Sequence, residues 1–206
     1  MHRFRRPIAA CLLAGLGVAT TFAPAAQAQL NGVLGIYFDD RANECSQTFG
    51  MGQSRTLYVL LLPEGDTRGG ISGVEFSIDA SGAPGYSFSN EQRLLSEPSM
   101  NLGNSAVGSG LNVVKMDGCE SRIPIPIWRL QVTNVSGGRD AFIEIAAKSP
   151  PGNPTFPCPL VTLCNNPVFT TVCVAPDRAV FNPSGAMRCG IASEKSDWGR
   201  VKELYR

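Results

Sequence analysis

The chain has 206 residues, of which 18 are basic and 17 acidic, and its formal net charge is +1. This balance gives no indication of the basic surface that is typical of nucleic-acid binding. Hydrophobic residues make up 43% of the sequence and charged residues 17%, which excludes intrinsic disorder and is typical of a folded domain.

The first 28 residues have the pattern of a secretory signal peptide. Three arginines precede an apolar stretch over residues 8–19, and Ala26-Gln27-Ala28 is a small-x-small cleavage site. The apolar stretch is too short to span a bilayer, so we expect cleavage and not a membrane anchor. The mature protein would begin at Gln29, without a transmembrane segment, and would be secreted, periplasmic or held at the cell surface.

The single histidine, His2, lies within this leader. The mature protein would therefore contain none, which excludes Ser-His-Asp and Cys-His catalysis, the H-E-x-x-H metalloprotease site and imidazole ligands to a metal. Because histidine is the side chain most often used as a general base, its absence favours a protein that is not an enzyme.

Strand patterns then recur along the chain, separated by Gly, Pro, Asn and Ser. Apolar and polar side chains alternate over residues 74–79, whereas 56–62 is apolar on both faces, as in a central strand between two layers. The predicted strands are 33–38, 56–62, 74–79, 111–116, 128–133, 142–147, 168–174 and 179–181. This set predicts an all-β fold, a two-sheet β-sandwich over residues 29–190.

Helix signals are scarce in the same region. Ser89-Asn90-Glu91-Gln92 fits a capping box with Ser89 as the N-cap, and predicts one or two helical turns that Pro98 would stop. Residues 149–159 contain five prolines. Because proline cannot donate a ladder hydrogen bond, this stretch predicts an extended loop.

Six cysteines follow the signal peptide, namely Cys45, Cys119, Cys158, Cys164, Cys173 and Cys189. An even number in an exported chain, with no C-x-x-C pair, predicts three disulfides and not a metal site or a catalytic thiol. Asn165-Asn166 can form a two-residue hairpin turn, and counting outward sets Val161 opposite Thr170 and Cys158 opposite Cys173. We therefore predict a Cys158–Cys173 disulfide. The alternative ties this loop to the sandwich through Cys45 or Cys119.

Both ends of the mature chain resemble a group of uncharacterised secreted bacterial proteins. The resemblance rests on Gly35-Ile36-Tyr37-Phe38-Asp39 followed by Cys45, and on Cys189 followed by the ending Trp198-Gly199-Arg200-Val201-Lys202-Glu203-Leu204-Tyr205-Arg206. It implies an immunoglobulin-like or cohesin-like β-sandwich. It implies no activity and no disulfide pairing.

A cluster of oxygen-bearing side chains follows the first predicted strand and comprises Asp39, Asp40, Asn43 and Glu44. Such side chains are the ligands that Ca²⁺ prefers, so this loop is the candidate calcium site, although its spacing differs from that of an EF-hand. The alternative is a solvated turn in which Asp and Asn bond the nearby backbone. No other cofactor is predicted.

The C-terminal tail, residues 191–206, has the pattern of a short amphipathic helix. Asp197 can cap it, and one face is formed by Trp198, Val201, Leu204 and Tyr205. So short a helix is marginal in water and needs a surface to bind. The tail either folds back onto its own sandwich or serves as a docking or sorting tag for an export or envelope partner.

These patterns predict a secreted binding protein or an envelope structural protein, with an unidentified protein or glycan of the cell envelope as its partner. The alternative is a carboxylate-dependent hydrolase such as a glycosidase, which needs two carboxylates about 5–10 Å apart across a cleft. No motif marks such a pair, because Glu75, Asp79 and Glu144 fall on outward-facing or edge positions of strands.

Aromatic residues give only thin support for glycan binding. Trp128 shares a strand face with Leu130 and Val132, which predicts a place in the core and not an exposed sugar platform. Tyr37 and Tyr58 lie on the strand face that does not carry their strongest apolar neighbours, and they are therefore predicted to be exposed.

Overall fold

The computed structural model describes residues 31–164 and 170–185. Two sheets and one short 3-10 helix, Gly65–Gly69, account for the regular structure of these residues. The strands are β1 Gly32–Tyr37, β2 Ser46–Gln47, β3 Ser54–Pro63, β4 Ile71–Asp79, β5 Tyr86–Arg93, β6 Ser99–Leu102, β7 Leu111–Lys115, β8 Ile125–Asn134, β9 Ala141–Ala146, β10 Leu160–Leu163, β11 Thr171–Cys173, β12 Ala175–Pro176 and β13 Arg178–Phe181.

One sheet has five strands in the order β12-β1-β3-β8-β5, and the other has eight. The eight-stranded sheet branches at β4. Gly73, Val74 and Glu75 pair with β7 on one side and with β10 on the other, whereas Ser77–Asp79 pair with β9. Hairpin β6–β7 therefore flanks β4 on one side, and hairpin β10–β11 flanks it on the other.

The core lies between the two sheets and follows the predicted alternation. In β4 the side chains of Val74, Phe76 and Ile78 point inward and are at most 3% exposed. They face fully buried side chains of β1 and β3, among them Leu34, Ile36, Leu57, Val59 and Leu61. The all-β two-sheet sandwich predicted from the sequence is confirmed.

Trp128 also takes the predicted core position. It packs in the main core, and its indole Nε1 donates a hydrogen bond to a carboxylate oxygen of Glu91 at 3.0 Å. The pairing register of β8 shifts opposite Val59 and Leu60, which marks a β-bulge. This bulge allows two consecutive side chains, Ile127 and Trp128, to enter the core.

The helix predicted from the capping box at residues 89–92 is wrong. These residues lie in β5 and pair with β8, with a register shift between Ser89 and Gln92. Asn90 adopts a φ of 52°, which asparagine tolerates better than most residues. The polar run therefore marks a β-bulge within a paired strand. Residues 149–159 contain no strand or helix, as the prolines predict.

Tyr37 is fully buried, contrary to the exposure predicted for it. It packs with Cys45 and Leu60 in a second apolar cluster on the outer face of the five-stranded sheet. Its hydroxyl donates to Asp177 Oδ2 at 3.5 Å, and burial together with the Asp177 carboxylate raises the pKa of Tyr37.

Several sequence predictions fall outside the described residues. They concern the signal peptide over 1–28, the Asn165-Asn166 turn, Cys189, and the tail residues Trp198, Val201, Leu204 and Tyr205. Within residues 31–164 and 170–185, no helix is long and apolar enough to cross a bilayer.

Candidate binding face

Two disulfides cross-link the β10–β11 side of the eight-stranded sheet. Cys158 is bonded to Cys173, the predicted pair, with their Cα atoms 5.7 Å apart. Cys119 is bonded to Cys164 with a Cα–Cα distance of 5.8 Å. Cys45 is disulfide-bonded as well. The Cys158–Cys173 and Cys119–Cys164 bonds fasten the hairpin and the segments around it to each other.

The register of this hairpin differs from the predicted one by two residues. Val161 lies opposite Val172 instead of Thr170, and Leu160 lies opposite Cys173. The reason is a longer connection, because the Leu163 N–H donates to the Thr170 carbonyl at 2.9 Å and leaves residues 164–169 between them. Cys158 therefore reaches Cys173 diagonally, from two residues before Leu160.

A groove of about 310 Å³ lies on the outer face of the eight-stranded sheet, above the middle of β4. Because Val74 and Phe76 point into the core, Gly73 and Glu75 face outward, and Gly73 leaves the floor without a side chain. The walls come from both flanking hairpins and the proline-rich loop, through Asn112, Val114, Gly152, Asn153, Leu160, Thr162 and Thr171.

The groove lining contains one carboxylate, that of Glu75. Glu75 Oε1 accepts the Gly152 N–H at 2.8 Å, which holds the proline-rich loop against the sheet. No lysine or arginine of the described residues forms an ion pair with Glu75. Asn112 Oδ1 is buried and has no hydrogen-bond partner among the described residues. An unpaired buried acceptor is unfavourable, so a donor that reached this atom would stabilise it.

An apolar strip borders the groove on the β6–β7 hairpin and consists of Met100, Leu102, Val114 and Met116. Met100 lies opposite Val114 and Leu102 opposite Asn112, so these side chains share the outer face of the sheet. The exposed fractions of Met100, Leu102 and Met116 are 39%, 51% and 61%. Val114 belongs both to this apolar strip and to the groove wall.

Strand β6 forms the outer edge beside the strip, since within the described chain it pairs with β7 alone. The Met116 N–H donates to the Pro98 carbonyl at 2.8 Å. The alternation of an antiparallel ladder then directs the backbone groups of Ser99 and Asn101 away from β7. The Ser99 N–H donates a hydrogen bond to Glu97 Oε2 at 2.8 Å. Glu97 also forms an ion pair with Arg93. The Ser99 N–H, followed by Arg93, lowers the pKa of Glu97.

The residues predicted to bind calcium form a hydrogen-bonded turn. Asp39 Oδ1 accepts the N–H groups of Asn43 and Glu44 at 2.8 and 3.1 Å, and Asp39 Oδ2 accepts from Asn43 Nδ2 at 3.0 Å. In the described ranges, no three His, Cys, Asp or Glu side chains gather as a metal site would require. Calcium binding by Asp39, Asp40, Asn43 and Glu44 stays a prediction.

Of the three carboxylates considered for a glycosidase, Glu75 alone lines any of four surface grooves formed by the described residues. Asp79 lies opposite Glu144 in the β4–β9 pair, where Asp79 is exposed at the strand end and accepts the Ser81 N–H at 2.8 Å. The lining of each of these four grooves has at most one carboxylate.

A second groove, of about 590 Å³, lies beside the five-stranded sheet. Tyr58 is half-buried within it, and Ile123 is 73% exposed. Its other lining residues are Asp40, Arg41, Leu94, Arg122, Pro124 and Pro126. Arg122 is occupied by an ion pair with Glu120 at 3.0 Å.

No family model matches this sequence. No curated protein matches it either. Solved structures similar to this chain include the sixth cohesin of scaffoldin B from Acetivibrio cellulolyticus, in complex with a Cel5 dockerin, at 16% identity and a TM-score of 0.48 over 75% of this chain and 99% of that chain.

Two further cohesins are similar at the same level. The cohesin module of a family 33 glycoside hydrolase from Clostridium perfringens is 8% identical, with a TM-score of 0.48 over 75% of this chain and 99% of that chain. The third ScaB cohesin of R. flavefaciens, in complex with a group 1 dockerin, is 16% identical, with a TM-score of 0.45 over 77% of this chain and 99% of that chain.

Proposed function

We propose that this protein is an exported, non-catalytic binding module that holds a protein partner against the outer face of its eight-stranded sheet. One observation carries the proposal. Of the six large hydrophobic side chains exposed in the described residues, three lie together in the apolar strip, namely Met100, Leu102 and Met116.

Clustering distinguishes this strip from an ordinary surface. Single exposed hydrophobic side chains are normal, whereas contiguous apolar surface marks an interaction site. Two of the three exposed members are methionines, whose flexible and polarisable side chains adapt to a partner's surface. The open edge of β6 adds unpaired backbone groups at Asn101, beside which a polypeptide can lie.

A protein partner fits this face better than a glycan. Glycan binding requires exposed aromatic rings, but the strip contains none, and both Trp128 and Tyr37 are buried. The disulfides support export, because such bonds form and persist in oxidising compartments. The predicted signal peptide supports it independently.

Site-specific photocrosslinking in the cells that produce the protein tests this proposal. A photoreactive benzoylphenylalanine replaces Leu102 in one variant and Val135 in the other. Val135 is the matched control, since it is 55% exposed but lies outside the apolar strip. We expect one discrete adduct with a protein from the Leu102 position and none from Val135.

The crosslinked protein is then purified and its binding measured directly with wild-type protein and with Leu102→Asp. Loss of binding in Leu102→Asp, with an unchanged circular dichroism spectrum, supports the proposal. Equal adducts from both positions, or no adduct from Leu102, would overturn it.

A further inference from the structure

We infer that the groove above Gly73 receives a basic side chain, lysine or arginine, supplied by the bound polypeptide. This inference rests on the proposed function, since it names the chemistry by which the partner is recognised at the same face. It is carried by the shape of the groove, by the Glu75 carboxylate that no cation of the described residues pairs with, and by the position of the groove beside the apolar strip.

The shape depends on a glycine in the middle of a buried strand. A Cβ at residue 73 would lie 3.3 Å from the Val113 carbonyl oxygen and 3.5 Å from Thr162 Oγ1. Any larger side chain would extend from there into the groove. A glycine inside a strand weakens the strand and is typical of a place where a ligand or another backbone approaches closely.

Glu75 is the one charged side chain among the described residues that line the groove. Glu75 brings a negative charge that one backbone N–H and no cation of the described residues satisfies. Asn112 Oδ1 is buried without a partner. Thr162 and Thr171, which lie opposite each other in the β10–β11 pair, add hydroxyl oxygens to the lining.

A basic side chain satisfies this arrangement. A lysine ammonium offers three donors and an arginine guanidinium five, each with a positive charge that complements Glu75. With a single carboxylate in its lining, the groove supplies too little negative charge for a calcium site, which usually has several carboxylate ligands. No lysine or arginine of residues 31–164 and 170–185 lines the groove, so within this part of the chain the cation is left for the partner to supply.

The position of the groove allows one polypeptide to use both features. Asn112 and Val114 lie on β7, and the side chains opposite them on β6 are Leu102 and Met100 of the apolar strip. A segment that covers the apolar strip with its own apolar side chains therefore passes beside Glu75. A basic residue in that segment can enter the groove while the neighbouring residues stay on the strip.

Nuclear magnetic resonance titration tests the inference without the natural partner. The probes are N-acetyl-lysine methylamide, N-acetyl-arginine methylamide and the uncharged N-acetyl-norleucine methylamide. The basic probes are expected to cause saturable shifts of the amide signals of Gly73, Asn112 and Thr162, whereas the norleucine probe causes none.

Two variants locate the contact. Glu75→Gln is expected to weaken binding of the basic probes about tenfold, because the acceptor oxygen remains but its negative charge, which strengthens the hydrogen bond, is lost. Glu144→Gln, on neighbouring strand β9, is the matched control and should leave binding unchanged. Asn112→Leu removes the unpaired acceptor and should weaken binding while leaving the protein folded. The dispersion of the amide spectrum verifies folding in each case.

Binding of the norleucine probe as strong as that of the basic probes would overturn the inference. An equal loss in Glu75→Gln and Glu144→Gln would do the same, as would the lack of any saturable shift. This result is separable from the crosslinking result. If the basic probes bind but Leu102 gives no adduct, the proposed protein partner at the apolar strip is rejected and the chemistry of the groove stands. If Leu102 gives an adduct but the probes do not bind, the basic-side-chain inference is rejected and the proposed function stands.

Discussion

The two hairpins beside β4 differ in how they are held and in what they present to solvent. Hairpin β10–β11 is fastened by Cys158–Cys173 within it and by Cys119–Cys164 at its end. Hairpin β6–β7 has no disulfide among its described residues and carries the exposed apolar strip. One wall of the groove is thus covalently constrained, whereas the other combines noncovalent attachment with an adaptable surface.

This difference separates stability from recognition within a single sheet. A disulfide stabilises chiefly by reducing the freedom of the unfolded chain, so it supports a wall without occupying its surface. Exposed methionines contribute little to folding but can adjust to a partner. We expect substitutions on the β10–β11 side to change the free energy of unfolding, and those on the apolar strip to change binding.

The largest effect is expected from Cys119→Ser combined with Cys164→Ser. This disulfide joins residues 45 apart in the sequence, and its loss should lower the free energy of unfolding by about 4 kcal/mol. Cys158→Ser with Cys173→Ser opens a span of 15 residues and should cost about 3 kcal/mol. Urea denaturation measures both values. A greater loss from the shorter span would refute the loop-length explanation.

Acid is expected to weaken the attachment of the segment that contains Cys119. Burial favours the protonated Glu120, but hydrogen bonds from Arg122 and Ser96 outweigh it and lower the pKa of Glu120 from 4.5 to about 2. The ionised form therefore stabilises the fold above pH 4.5, and this contribution disappears as the pH falls through about 2. Such a shift corresponds to about 3 kcal/mol.

Denaturation of wild type and Glu120→Gln across this pH range measures that contribution. The variant should be less stable at neutral pH and should show a flatter dependence on pH. The exposed Glu44→Gln is the control and should retain the wild-type profile. If Glu120→Gln also retained it, the assignment to Glu120 would be wrong.

A pair of valines compares the packing of the two hairpins directly. Val161 of β10 is fully buried, and Val161→Ala should destabilise the protein by about 2 kcal/mol through lost burial and a small cavity. Val114 of β7 is only half-buried, so Val114→Ala should cost under about 1 kcal/mol. Thermal and urea unfolding of both variants provide the test. Equal losses in the free energy of unfolding would contradict the proposed difference in packing between the two hairpins.

The smallest effect on stability is expected from Leu102→Ser. Its side chain is 51% exposed, so the free energy of unfolding should change by less than about 0.5 kcal/mol. Binding to the crosslinked partner should fall severalfold, since the substitution removes apolar contact area at the proposed interface. A variant that is clearly destabilised, or that binds as the wild type does, would contradict the assignment of Leu102 to recognition.

The regular part of the fold could be predicted because its side chains alternate. Val74, Phe76 and Ile78 point inward as the period-2 pattern indicates. Trp128 and Leu130, two residues apart on β8, both lie in the core as the same pattern indicates. The pattern failed at Ser89–Gln92, where a local helix signal competed with pairing to β8 and the pairing prevailed. Local propensity contains no information about a partner strand that lies about 40 residues further along the chain.

The disulfide and the groove show two further limits. Cys158–Cys173 was predicted by counting from a two-residue turn, whereas the actual connection is longer and the register differs by two. The groove was missed altogether because its residues come from four strands and a loop. Its one sequence signal is Gly73 within a strand of alternating apolar and polar side chains, and that signal does not reveal that Asn112 lies nearby.

The carboxylate of Glu97 has a consequence for how molecules of this protein meet each other. An open strand edge is a template on which a second copy can add its own edge, and repeated addition leads to fibrils. Glu97 occupies the Ser99 N–H and places a negative charge beside it. A second copy that approaches this edge would find the Ser99 N–H already bonded and would have to displace the Glu97 side chain. Because hydrogen bonding lowers the pKa of Glu97, this protection persists in mildly acidic surroundings, where an ordinary glutamate would begin to lose its charge.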